Sequence, residues 1–164
     1  MEMGNQQERS LGWLAGIIDG EGSITAQVYT MPDGRVRITP FVVITNQDLG
    51  IIDKCKEILI ELNIKSRWHR RQDGTFNGRI DGEKPVMNFI AIIEPYLWSY
   101  KRQNCKILNQ YFDLRRKNRF KRNELGQLLR QPYCREEVEL ISSIRTHHRA
   151  KSSEAICLAP NVIG

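Results

Sequence analysis

Two acidic side chains, Asp19 and Glu21, stand in the segment Asp19-Gly20-Glu21-Gly22, directly after the apolar run LGWLAGII of residues 11–18. An acid just past a helix C-terminus sits at the negative end of the helix dipole. Carboxylates brought together there repel unless a cation shares them. Their hard oxygens suit Mg2+, which activates water and stabilises the leaving oxygen in phosphodiester hydrolysis. In an isolated D-G-E-G segment the acid is more often a turn residue, so its surroundings decide. Here Ala15 and Gly16 leave one side of the helix nearly bare. Two copies can then approach backbone to backbone about a two-fold axis, bringing two Glu21 side chains to one spot.

A second group of candidates is basic or amide-bearing. Thr25, Gln27, Tyr29, Arg35, Arg37 and Thr39 fall on one face of a first hairpin, and Arg67, His69, Arg71, Asn77 and Arg79 on one face of a second. Alternate residues of a strand point the same way, and Arg and Gln are the usual readers of guanine and adenine edges. A polar sheet face needs no ligand, but these side chains stand opposite a cleanly apolar face. Lys117, Arg119, Lys121 and Arg122 suit phosphates, which position a complex without specifying sequence.

A regular order of elements is needed to hold these groups. Residues 11–18 read as a short helix with Ser10 as N-cap, ended by the glycines that follow. Residues 23–30 alternate as a strand with Ile24, Ala26 and Val28 on one face. Met31-Pro32-Asp33-Gly34 is a turn. Residues 35–45 form the return strand, with Val36, Ile38, Val42 and Ile44 inward. Asp48 opens an amphipathic helix over 48–62. Residues 64–71 and 75–81 make a second hairpin around Gln72-Asp73-Gly74, with Trp68 toward the core. Helices follow over 84–93, stopped by Pro95, over 100–120 and over 136–146. The expected fold is α+β, an αββαββα core with a four-stranded antiparallel curved sheet and additional C-terminal helices. One domain spans 1–150, and 151–164 is a tail.

Residues 14–22, LAGIIDGEG, resemble the signature of the LAGLIDADG homing endonucleases, with Ile17 for Leu, Gly20 for Ala and Glu21 for the final Asp. Seven of nine positions match when Asp and Glu count together. Strands follow the motif at once, Ile44-Thr45-Asn46-Gln47-Asp48 opens a helix, and Lys101-Arg102-Gln103 stands where the family has its basic residue. The resemblance covers residues 11–120 and implies a DNA-binding saddle made by the sheet. It implies Glu21 and the Gly20 carbonyl as metal ligands, with Asp19 structural. Asn46 or Gln47 would order the hydrolytic water, Asn46 being favoured because it directly follows Thr45. Lys101 is the candidate for stabilising phosphate charge. Arg102 competes for that role, and Tyr100 takes the family's lysine position if Gln103 is the anchor. One motif copy implies a homodimer. The implied activity is metal-dependent cutting of both strands of a long, near-palindromic double-stranded DNA, leaving 3′ overhangs and driving intron mobility. The implied cofactor is Mg2+, with Mn2+ or Ca2+ able to substitute in binding. An RNA-splicing maturase, with RNA as partner, or a non-cleaving binding protein on the same fold is the alternative.

Length and composition agree with this reading. The 164 residues suit one domain, and 40% hydrophobic content supplies one core. Lys plus Arg number 25 against 19 Asp plus Glu, a net charge of +6 that suits a polyanionic partner. The apolar stretch 89–93 is too short to cross a bilayer, so no membrane partner is expected. The first ten residues are polar and lack a signal core, making an intracellular site the expectation, in cytoplasm or in an organelle with its own genome. Cys55, Cys105, Cys134 and Cys157 form no CxxC, and His69, His147 and His148 have no zinc-site spacing. The cysteines read as buried or incidental thiols of a reducing compartment.

Overall fold

The computed structural model describes residues 2–144, with side chains from residue 5. The expected tail and the end of the last expected helix lie outside the described residues. The chain runs α1 (Glu2–Glu21), β1 (Gly22–Thr30), β2 (Val36–Asn46), α2 (Leu49–Glu61), β3 (Arg67–Arg70), β4 (Phe76–Asp81) and α3 (Glu83–Ile93). A 3-10 turn over Glu94–Tyr96 leads to α4 (Lys101–Asn118), a small hairpin β5 (Phe120–Arg122) and β6 (Leu128–Arg130), and α5 (Arg135–Ser142).

The first helix differs from expectation at both ends. It begins at Glu2, so Ser10 lies inside it and caps nothing. Residues 5–9, ahead of its apolar part, are polar and exposed. Leu11, Leu14, Ala15 and Ile18 are buried at the spacing of one helix face. Nor do the glycines end it early: the helix continues through Glu21 and passes into β1 with no loop. Gly22 makes that junction possible. A Cβ there would come within 2.8 Å of the Ile18 Cα and 2.9 Å of its carbonyl oxygen, closer than backbone can yield.

The four longer strands form one antiparallel sheet in the order β1-β2-β4-β3. Gly22 pairs with Ile44, Ile24 with Val42 and Val28 with Ile38, and Val42 pairs in turn with Ile80. The face carrying Ile24, Ile38, Val42, Ile44 and Ile80 is buried with residues of α1, α2, α3 and α4 in one cluster. The first hairpin closes on Gly34, whose φ of 80° favours glycine. Asp48 caps α2 as expected, accepting from the N–H of Gly50 at 2.7 Å and of Ile51 at 3.1 Å. The third strand is shorter than its sequence pattern. Asn63 takes a φ of 54°, and the Ile64 N–H donates to the Leu59 carbonyl at 2.8 Å. Residues 63–65 are therefore spent ending α2. Trp68 does turn inward and lies over Gly78, where a Cβ would meet its ring at 2.4 Å.

Past α4, sequence patterning missed the β5–β6 hairpin, whose three-residue strands are too short to show alternation. Its exit is held by the buried Arg115, which donates to the carbonyls of Gln131 at 2.9 Å and Pro132 at 3.1 Å. The Arg115 guanidinium stands 4.1 Å from the Tyr133 ring centroid and pairs with the buried Glu137 at 3.5 Å. Cys55 and Cys105 are buried, as expected, and Cys134 is half-buried at the start of α5. Among the described residues no helix is long and apolar enough to cross a membrane.

Candidate functional site

The acidic helix end is built by α1, the turn before α4, and α4 itself. Glu21 is exposed as the last residue of α1. Asp19 is taken up by hydrogen bonds at this end. Its carboxylate accepts from the N–H of Trp98 at 2.7 Å, the N–H of Ser99 at 3.3 Å, and the Ser99 hydroxyl. Those bonds fix the start of α4 against the end of α1. Lys101, fully buried, completes the arrangement. Its Nζ donates to the carbonyls of Ile18 at 2.6 Å and Asp19 at 2.7 Å. The last carbonyls of a helix have no partner within it, and a cation there meets the negative end of the dipole. Burial pulls the Lys101 pKa down, and the Asp19 charge opposes that shift. Arg102 and Gln103 are exposed to solvent, while burial raises the pKa of the half-buried Tyr100. Of the basic candidates, Lys101 is the one seated on the α1 terminus.

Asn46 and Gln47 share this end of the sheet, because Ile44 pairs with Gly22, the residue after Glu21. The Asn46 carboxamide oxygen accepts from the Asp48 N–H at 2.8 Å, which helps start α2. Gln47 is exposed. Gly20 has open space where a Cβ would be, as do Gly16 and Gly12. The bare stripe of α1 is therefore Gly12, Gly16 and Gly20, at every fourth residue. Ala15 was expected to share it but is buried inside its own chain.

The sheet face opposite the core carries most of the basic and amide candidates. Thr25, Gln27, Tyr29, Arg37, Thr39, Arg67, His69, Asn77 and Arg79 all fall on it by strand register. Gln27, Tyr29, Arg37, Arg67 and His69 are exposed, whereas Thr25 and Asn77 are buried, and the Asn77 Oδ1 has no hydrogen-bond partner. The Tyr29 hydroxyl donates to the Gln27 carboxamide oxygen. Arg35 and Arg71 lie just beyond the strands, in the hairpin turns. Arg35 pairs with Asp33 at 2.5 Å, and the Arg71 N–H donates to the Thr75 carbonyl. Of the phosphate candidates, Lys117, Lys121 and Arg122 are exposed, and Arg119 pairs with Glu83. Sequence reasoning missed Asp81, which accepts from both Arg67 and Arg79 on this face. It also missed Trp98, which is 91% exposed beside the helix end. Asp81 ends the fourth strand in phase with Arg79, a signal the sequence did contain.

The model of the LAGLIDADG-like domain matches residues 8–94, from α1 to the start of the 3-10 turn. The chain belongs to the LAGLIDADG homing endonuclease family. Solved structures with the same fold include the homing endonuclease I-CvuI in complex with the I-CreI target, at 21% identity and a TM-score of 0.58, over 66% of this chain and 68% of that one. The group I intron-encoded homing endonuclease I-CeuI, complexed with DNA, matches at 18% identity and a TM-score of 0.56, over 67% of this chain and 56% of that one. The homing endonuclease I-TnaI matches at 18% identity and a TM-score of 0.53, over 65% and 74%. These likenesses show a shared LAGLIDADG fold. No curated protein matches the chain. The 14–22 segment is the end of α1 and the glycine that starts the sheet.

Proposed function

We propose that the chain is a site-specific homing endonuclease, acting as a homodimer inside the cell on a long, near-palindromic double-stranded DNA. Each subunit would read one half-site with its saddle and cut one strand, leaving 3′ overhangs in service of intron mobility. The observation that carries this reading is the exposed Glu21 carboxylate, at a helix end whose other groups are committed. Asp19 is bonded to the α4 start and Lys101 to the Ile18 and Asp19 carbonyls.

The donors at this end fit a divalent cation. Glu21 offers a carboxylate, and the Gly20 carbonyl follows those that Lys101 takes; both are hard oxygens. Among the described residues no three His, Cys, Asp or Glu side chains gather in one chain. A second copy, packed along the Gly12, Gly16 and Gly20 stripe, would supply the other carboxylate. Mg2+ bound by Glu21 and Gly20 would supply Lewis-acid chemistry at the phosphate and its attacking water. Mn2+ or Ca2+ would substitute in binding. Asn46 or Gln47 would orient that water by hydrogen bonding. The Lys101 charge, held beneath the helix end, would oppose the negative charge that develops on the phosphate.

The test is cleavage of the presumed intron-insertion DNA with Mg2+ and with EDTA. Wild type should cut only with metal. Glu21→Gln should bind the same DNA with cleavage reduced about a thousandfold or more. Tight binding without cutting under every metal tried would instead support a binding protein, with RNA the next ligand to offer.

A further inference from the structure

Phe41, Arg79 and Asp81 meet on the outer sheet face where β2 and β4 pair. Phe41 stands opposite Asp81, and Val43 opposite Arg79, which in turn faces Arg67 on β3. The Arg79 guanidinium lies 3.9 Å from the Phe41 ring centroid, and its Nε donates to one Asp81 oxygen. The other Asp81 oxygen accepts from Arg67 Nη2 at 2.5 Å. Arg79 is one-third exposed (32%) and Asp81 less so (21%), whereas Arg67 reaches into solvent at 79%. Burial alone would raise the Asp81 carboxyl, yet the hydrogen bonds from Arg67 and Arg79 hold it below the usual carboxylate range.

We propose that Arg79 reads a guanine in the major groove and that Asp81, with Phe41, is the residue that positions its guanidinium to do so. This rests on the DNA-binding function proposed above. With Nε bonded to Asp81 and one face stacked on Phe41, Arg79 keeps its two terminal nitrogens for a partner. That edge is the fork that matches guanine O6 and N7. A carboxylate between two arginines makes a poor phosphate contact, because it cancels half their charge and repels the DNA backbone. Base readout depends on fixed donor geometry rather than summed charge, and holding the fork beforehand lowers the cost of ordering it on binding.

The experiment is selection of binding sites from a pool of randomised double-stranded DNA by wild type, Arg79→Lys, Asp81→Ala and Phe41→Leu, each first checked for an unchanged circular dichroism spectrum. Wild type should select guanine at one position in each half-site. Arg79→Lys keeps the charge but loses the fork, and should reduce that preference about tenfold or more at that position alone. Asp81→Ala should flatten the same position. It should also bind random-sequence DNA more tightly, with a steeper salt dependence, because a negative charge is gone. Phe41→Leu should weaken the preference less. Unchanged preferences in the variants, or an even loss at every position, overturn the assignment while the DNA-binding function stands. A wild-type protein that selects no sequence overturns both.

Discussion

At the end of α1 the side chains are tied to the backbone of distant segments, while along the first hairpin of the saddle they pair with near neighbours or project into solvent. Asp19 makes bonds to Trp98 and Ser99, and Lys101 bridges two carbonyls from a fully buried position. Arg37, by contrast, projects from β2 into solvent. The helix end is a network in which one deletion leaves several partly buried groups without partners. The sheet face is a row of short-range contacts, with Tyr29 bonded to Gln27 and Asp81 joining Arg67 and Arg79. Chemistry tolerates no misplacement, whereas recognition is a sum whose members can be exchanged singly. The two regions should therefore answer to substitution in different ways.

Among the substitutions that test this contrast, the largest effect is expected at Lys101. Lys101→Met leaves the Ile18 and Asp19 carbonyls without their donor and should cost about 2 kcal/mol in chemical denaturation, with cleavage falling about a hundredfold. The pH dependence carries a sign of its own. Burial lowers the Lys101 pKa from its usual 10.5, so the charged form is lost earlier on the alkaline side than for an exposed lysine. The alkaline limb of the cleavage rate should lie below 10.5 and move upward in Lys101→Arg. Stability should behave oppositely. The folded protein bears the cost of a buried charge below the lowered pKa, and that cost fades as the pH rises toward 10.5. An alkaline limb that does not move in the arginine variant would detach Lys101 from the chemistry.

A comparable loss of stability, with a smaller loss of cleavage, is expected at the joint between the two regions. Gly22→Ala forces a Cβ against the Ile18 backbone and should lower stability by about 1–3 kcal/mol, read from a denaturant midpoint. Cleavage should suffer more than binding, since Glu21 is the neighbour displaced. Smallest is Arg37→Ala, which should weaken DNA binding roughly evenly across sequences and make the salt slope shallower by about 1. If removing Arg37 instead abolished binding, the sheet would be as interdependent as the helix end, and the contrast would fail.

The sequence showed the parts whose signal is local. Alternation in residues 23–45 revealed the first hairpin and its outer face, and Asp48 announced α2 by the geometry of a cap. The single motif located Glu21 because its glycines and apolar residues must pack in one way. What stayed hidden depended on distant partners. The Asp19 bonds to Trp98 and Ser99 join residues about eighty positions apart, and the Lys101 seat on α1 spans a similar distance. Alignment alone therefore left Tyr100, Lys101 and Arg102 in competition. The first turns of α1 were missed because they are polar all round, and the β5–β6 hairpin because three-residue strands are too short to show alternation.

The junction at Gly22 has no loop, so nothing flexible separates the helix that ends in Glu21 from the strand that carries Thr25 and Gln27. Under the proposed function, such an enzyme measures as well as recognises. The offset between the sequence it reads and the bond it breaks is set by a rigid ruler of backbone. DNA with one base pair added at its centre would present both half-sites intact yet at the wrong spacing, and it would be held and left uncut.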